Sequence, residues 1–291
     1  MYYLILIFSA LLLGITFAFN KLYQIAYGAS PYAAFFFNTL LGLTTLAAFW
    51  AIKGFKLELY PYSCIMAGIE GILVISYNIF GFKILKSSGS MSMYTLSLMT
   101  GGMVLPYIWG IVFLNEPFTY MRTIGLILII VGVVLSNLKG SKTKWNQALM
   151  CGAVFLLNGC VSIVSKMHQI QTIYKTADSS GFVALSGMFK FLIAGTVFLI
   201  IKNRNAEQNI RINNKPKAIS IIAAAAVASG LSFMLQLKGA SELPATVLYP
   251  FVTGGSIVFS AVIGGIVFKE KFSLRLILSV ALCFIGTIFF I

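Results

Sequence analysis

Ten apolar stretches, each about as long as a helix needs to cross a bilayer, divide this chain. They run Tyr2–Phe19, Pro31–Ile52, Tyr62–Phe82, Ser90–Leu114, Tyr120–Leu138, Asn146–Ser165, Gly181–Ile201, Lys217–Leu237, Pro244–Phe268 and Ser273–Ile291. A hydrocarbon core of ~30 Å, climbed at about 1.5 Å per residue, takes roughly twenty helical residues. Without water, each backbone N–H and C=O must be satisfied inside its own segment, so every stretch is expected to be α-helical. Charged residues make up only 10% of the 291, against roughly a quarter in a soluble domain, so a water-facing surface cannot be built. The longest polar stretch, Lys202–Lys217, is expected to be a loop. Neither a basic leader nor a small-residue cleavage site accompanies the first span, and no cleavable signal peptide is expected. The fold class is therefore an all-α, multi-pass membrane protein whose surroundings are the lipid bilayer.

The net charge of +14 is scattered singly and in small groups between the apolar blocks. A nucleic-acid partner would need a clustered basic face, whereas flanking Lys and Arg that snorkel to headgroups account for this pattern. Cys64, Cys151, Cys160 and Cys283 lie in or beside apolar segments without metal-type spacing and are expected to be small buried hydrophobes. No phosphate loop of the G-x-x-x-x-G-K-[ST] type is present, so the chain itself is not expected to hydrolyse ATP. A hydrolase would need a placed acid and a nucleophile motif, and neither appears. His168, the only histidine, falls after the sixth span and is expected in a solvated loop. No catalytic residue, cofactor or metal is expected.

The sequence also repeats itself. Lys21 follows Gly14 by seven residues, and Lys166 follows Gly159 by the same interval. Asn38 in the second span matches Lys190 in the seventh. Leu114-Asn-Glu116-Pro-Phe118-Thr119 returns as Phe268-Lys-Glu270-Lys-Phe272-Ser273, and the offsets grow from 145 to 152 to 154. Two five-span copies, residues 1–144 and 145–291, are the simplest account. Five is odd, so the second copy must enter the membrane with opposite polarity, an inverted repeat of the kind that builds secondary transporters. Thr100-Gly101-Gly102 with Pro106 in the fourth span, and Pro250 with Thr253-Gly254-Gly255 in the ninth, suggest flexible interruptions beside a substrate cavity. The competing account is that these small residues only let helices approach closely.

This pattern resembles the EamA-type transporters of the drug/metabolite transporter superfamily. Gly14 through Lys21, Glu116, Phe118, Gly125 and Gly132 carry the resemblance in the first half, and Glu270, Phe272 and Gly286 in the second. It covers nearly the whole chain. It implies ten helices in two five-helix repeats; the plasma (inner) membrane of a prokaryote, a small-molecule substrate, and a monomer or homodimer are separate expectations. That family often carries an Arg in its second span, where this chain has Asn38.

Charges at mid-membrane cost several kcal/mol and mark function. Two qualify: Glu70 in the third span and Lys190 halfway along the seventh. They can pair as a structural bridge, Glu70 can bind a proton or an amine, or Lys190 can meet a substrate carboxylate or phosphate. Helical spacing sets Glu70, Val74, Tyr77 and Gly81 on one face with Asn78 adjacent. It aligns Asn158, Ser162 and Ser165 on the sixth span, and Ser229, Ser232 and Gln236 on the eighth. The serines read best as interhelical hydrogen bonders, and the amides of Asn78, Asn158 and Gln236 as cavity lining. Tyr94 and Tyr249 are positioned to stack on a cation. Substrate binding is thus expected at Glu70, Tyr77, Asn78, Tyr94, Asn158, Lys190, Gln236 and Tyr249, with proton coupling at Glu70. Glu116 and Glu270, three residues before Thr119 and Ser273, are expected to be structural acids at the starts of the following helices.

The expected function is secondary transport of a small polar metabolite by alternating access, an amino acid or amine being favoured. The alternatives are a carrier of nucleotide sugars or phosphorylated metabolites, and a membrane scaffold or lipid-handling subunit. Orientation stays open. With the N-terminus inside, inner loops hold six Lys and Arg and outer loops fourteen, so the charge rule favours the termini outside while the resemblance implies them inside.

Overall fold

A computed structural model describes residues 2–28, 30–86, 91–137, 145–204, 215–269 and 273–291. Among them the chain forms ten helices and no strand: α1 Tyr2–Tyr27, α2 Pro31–Ile52, α3 Pro61–Lys86, α4 Met91–Phe113, α5 Tyr120–Asn137, α6 Trp145–Ile170, α7 Ser179–Arg204, α8 Lys215–Glu242, α9 Ala245–Val267 and α10 Leu274–Ile288. Eight are long and apolar enough to cross a membrane, and α5 and α10 are shorter apolar helices. The starts follow local chemistry. The Ser30 hydroxyl accepts from the Ala33 N–H just ahead of Pro31, and the Ser273 hydroxyl accepts from the Leu276 N–H. Beyond α2, Gly54 and Phe55 take positive φ and turn the chain back toward α3.

Two helix pairs face each other directly, α2 with α7 and α5 with α10. In addition α1 packs on α8 and α9, α6 on α3 and α4, α3 on α7, α2 on α8, and α4 on α9. The α5–α10 contact is tight because glycines line it: a Cβ at Gly125 would strike the Gly286 carbonyl, and one at Gly132 the Ser279 carbonyl. One apolar core gathers Leu6, Met103, Ile129, Val252 and Cys283 among α1, α4, α5, α9 and α10. A second gathers Phe49, Ala67, Phe182 and Leu237 among α2, α3, α7 and α8.

The fourth and ninth segments differ from expectation. Both α4 and α9 are continuous helices despite Pro106 and Pro250. Their paired glycines are places of close approach: a Cβ on Gly101 would collide with the Phe155 backbone of α6, and one on Gly255 would press on Ala10 of α1. In a membrane, such small residues let two helices pack backbone to backbone. The polar stretch after the seventh span is shortened from both ends, since α7 continues to Arg204 and α8 begins at Lys215. Glu270 and Phe272 lie outside the described residues.

Candidate functional site

Between the helices lies a cavity of about 780 Å³, lined by residues from α1, α2, α3, α4, α6, α7, α8 and α9. Neither α5 nor α10 contributes. The lining runs from exposed Lys21, Gln24 and Gly28 at the end of α1 to buried Thr45, Glu70, Ser165, Ser186 and Tyr249. All eight sequence-predicted residues line it: Glu70, Tyr77, Asn78, Tyr94, Asn158, Lys190, Gln236 and Tyr249. They meet because each helix turns its polar stripe inward and leaves its apolar faces to lipid and to the neighbouring helices.

At the deep end, Lys190 Nζ lies 2.8 Å from Glu70 Oε1. Glu70 is only 2% exposed, while the Lys190 side chain retains 19%. The ammonium also stands 5.4 Å from the centre of the Phe233 ring. The second carboxylate oxygen, Oε2, is buried, and no hydrogen-bond donor among the described residues reaches it. Among the described residues, the buried Thr45 and Ser186 hydroxyls in the lining likewise have no hydrogen-bond partner.

Toward the mouth, the Tyr94 hydroxyl donates to Asn78 Oδ1 at 3.2 Å, and the Asn78 amide donates to Asn38 Oδ1 at 3.4 Å. Asn38 therefore belongs to this layer. Two other predicted residues, Asn158 and Tyr249, commit their polar atoms to neighbouring helices, and Gln236 bonds within its own helix. Asn158 donates to the Leu98 carbonyl at 2.7 Å, Tyr249 to the Ser162 carbonyl at 2.6 Å, and Gln236 to the Ser232 hydroxyl at 3.2 Å. Of the four serines, Ser162 donates to the Gly102 carbonyl of α4 and Ser232 pairs with Ser9 of α1, whereas Ser165 and Ser229 donate to the Val161 and Ala226 carbonyls of their own helices. Phe233 escaped the sequence analysis, although it shares the helical face of Ser229 and Gln236.

Polar contacts close the opposite face of the molecule. Lys53, just past α2, reaches Glu58 at 3.2 Å and Asp178, just before α7, at 3.0 Å. Burial opposes the charged form of Asp178, but the Gly181 N–H, the Lys53 ammonium and the Ser180 hydroxyl outweigh it and hold the carboxyl below its usual value. The same pairing, led by the Asp178 hydrogen bond, raises Lys53. Lys166 donates to the Ala240 and Leu243 carbonyls at the end of α8, at 2.7 Å each.

Two sequence expectations need correction on this face. His168 is not in a solvated loop. Helix α6 continues to Ile170, and His168 is 1% exposed, hydrogen-bonded to the Ser63 hydroxyl at 2.8 Å and stacked on Phe182. Glu116 is structural as expected, but it serves a different helix. Its two oxygens accept from the Ala245 and Thr246 N–H groups, at 2.6 and 2.8 Å, at the start of α9 rather than α5. Asn115, at φ 52°, turns the chain so that the carboxylate points across the bundle. A sequence cannot reveal that pairing, because 129 residues separate Glu116 from Ala245.

Comparison with known sequences gives one family match. Residues 150–291 match the profile of the EamA-like transporter family. Through this segment the chain is similar to that family. Its members are membrane transporters, and the eight apolar helices agree in making this chain an integral, multi-pass membrane protein. No curated protein matches the chain. A solved structure described only as "Crystal structure of protein" is similar, with a TM-score of 0.75 at 18% identity over 99% of this chain and 96% of the other. At that identity the likeness speaks to fold alone, over nearly the full length of both chains.

Proposed function

We propose that this protein is a secondary transporter that moves a small polar metabolite, an amino acid or amine, through the central cavity by alternating access. The observation that carries the reading is the Glu70–Lys190 pair, two charges held at the deep end of a cavity that eight helices surround. Buried charges in a membrane face a partner or a substrate path. A volume of about 780 Å³ falls within the range of small-molecule sites.

The same proposal includes ten crossings arranged as two inverted repeats, residues 1–144 and 145–291. The packing supports it. Exchanging each helix of one half for its counterpart five helices away carries the α1–α8 contact onto α6–α3, and α1–α9 onto α6–α4. At residue level, Gly14 facing Phe259 corresponds to Gly159 facing Leu105, and Gly125 with Gly286 corresponds to Ser279 with Gly132. Asn115 and Lys269, 154 residues apart, share a left-handed backbone. The two halves would rock about the cavity, with the Lys53–Asp178 side closed in the present conformation and the Lys21 side open.

Proton coupling through Glu70 belongs to this proposal with one condition: a proton reaches the carboxylate only after Lys190 has moved away. A nucleotide-sugar or phosphate carrier would use Lys190 and the basic mouth, but a buried carboxylate beside that lysine disfavours a multiply charged anion. A scaffold or lipid-handling subunit would need no wet core. Cysteines placed at Asn78 and Asn158, in a background without the four native cysteines, test the choice by labelling with a membrane-impermeant thiol reagent. Labelling from each side in turn supports transport, and a core that stays dry from both sides rules it out. The monomer or homodimer expectation stands apart from this reading.

A further inference from the structure

The Glu70–Lys190 pair is poorly finished as a purely structural bridge. A carboxylate offers about four acceptor positions, and a buried ion pair holds firmly only when hydrogen bonds satisfy the rest. Here Lys190 takes Oε1, while Oε2 is left buried without a donor among the described residues. The Lys190 side chain that fills the site is itself partly exposed, at 19%, and its ammonium sits on a four-carbon stem that can swing. A carboxylate beside an aromatic face, here Phe233, is the chemistry that binds an ammonium from outside.

We infer that Lys190 is a tethered stand-in for a substrate ammonium, occupying the cation site of Glu70 and Phe233 until a substrate amine displaces it. The inference rests on the reading of the cavity as a substrate site and names the chemistry of that substrate. A lone carboxylate at this depth is costly, so the empty site needs a cation of its own, and Lys190 supplies it. Once displaced, the lysine needs an anion in turn. A small zwitterion carrying both an ammonium and a carboxylate satisfies both residues. A simple amine strands Lys190, and a simple carboxylate strands Glu70. Selectivity for amino acids over either fragment then arises from the penalty on the unpaired partner.

The test is rescue by a free ammonium. Purified Lys190→Ala is titrated with n-propylamine at neutral pH, and its melting temperature is followed. Lys190→Met serves alongside it, in case the shortened side chain prevents folding. The inference predicts a saturable rise of roughly 5 °C or more in the single variants, as expected when a ligand binds only the folded state. Neither the wild type nor Glu70→Gln/Lys190→Ala should show that rise. No rise in either single variant, or an equal rise in the double variant, overturns the inference. The outcome is separable from the broader reading: a wild type stabilised by amino acids whose lysine variants ignore propylamine keeps the transporter and loses the stand-in. A rescue confined to the single variants supports the stand-in whether or not any flux is detected.

Discussion

Lys190 Nζ and Glu70 Oε1 meet at 2.8 Å from different helices, yet the two side chains are unequally exposed, at 19% and 2%. Removing one partner of a buried pair typically costs about 3–5 kcal/mol, because a charge is left uncompensated. Lys190→Met strands the fully buried member, so it is expected to cost about 3 kcal/mol or more. Glu70→Gln leaves a lysine that can extend into the cavity, and is expected to cost less. Thermal unfolding of both variants in detergent checks the order, and equal losses would contradict it.

Glu116 places both carboxylate oxygens on the first N–H groups of α9. Capping groups of this kind contribute roughly 1–2 kcal/mol, so Glu116→Ala is expected to lower stability by about that amount. The loss should appear as early hydrogen exchange at the start of α9 and not at the start of α5. Exchange confined to α5 would show that the acid serves its own helix instead.

Gly101 of α4 and Gly255 of α9 are expected to tolerate a methyl group differently. The added Cβ at Gly101 meets Phe155 backbone, which cannot step aside, whereas at Gly255 it meets only the Ala10 Cβ at 3.0 Å. Overpacking costs typically about 1–3 kcal/mol. Gly101→Ala is therefore expected near the top of that range and Gly255→Ala near the bottom, measured as melting temperatures of the two variants.

Asp178 gives the closed face an acid-side pH dependence. Its carboxyl is held below the usual value, so the folded state favours the ionised form. That contribution is complete above the unfolded carboxylate value of 3.8 and is lost as pH falls through the lower, folded value. Melting temperature should drop on acidification below about pH 4, and Asp178→Asn should remove part of the slope. An unchanged slope in the variant would place the acid sensitivity elsewhere.

Much of this architecture was legible because a bilayer permits so few solutions. Twenty-residue apolar blocks become helices, and polar side chains within them turn inward, which is why Glu70, Asn78, Asn158 and Lys190 all reach one cavity. Helical spacing does not say which inward residues touch. The Glu70–Lys190 contact depends on how α3 and α7 pack, and the Glu116 contact with α9 on a turn at Asn115. His168 was misread because the hydrophobic pattern ends before α6 does. Burial beneath Tyr62 and Phe182 comes from other helices, and its own neighbours in the chain carry no sign of it. Gly101 and Gly255 resembled breaks because glycine serves equally where a helix loosens and where two helices touch.

The central claim is that the cavity carries a substrate across the membrane. Uptake of labelled amino acids and amines into proteoliposomes tests it most directly, with wild-type protein compared with Glu70→Gln and with protein-free vesicles. The account predicts time-dependent, saturable uptake of at least one amino acid by the wild type, lost in Glu70→Gln. Uptake no greater than in protein-free vesicles across the whole panel, from protein that remains folded, would contradict it.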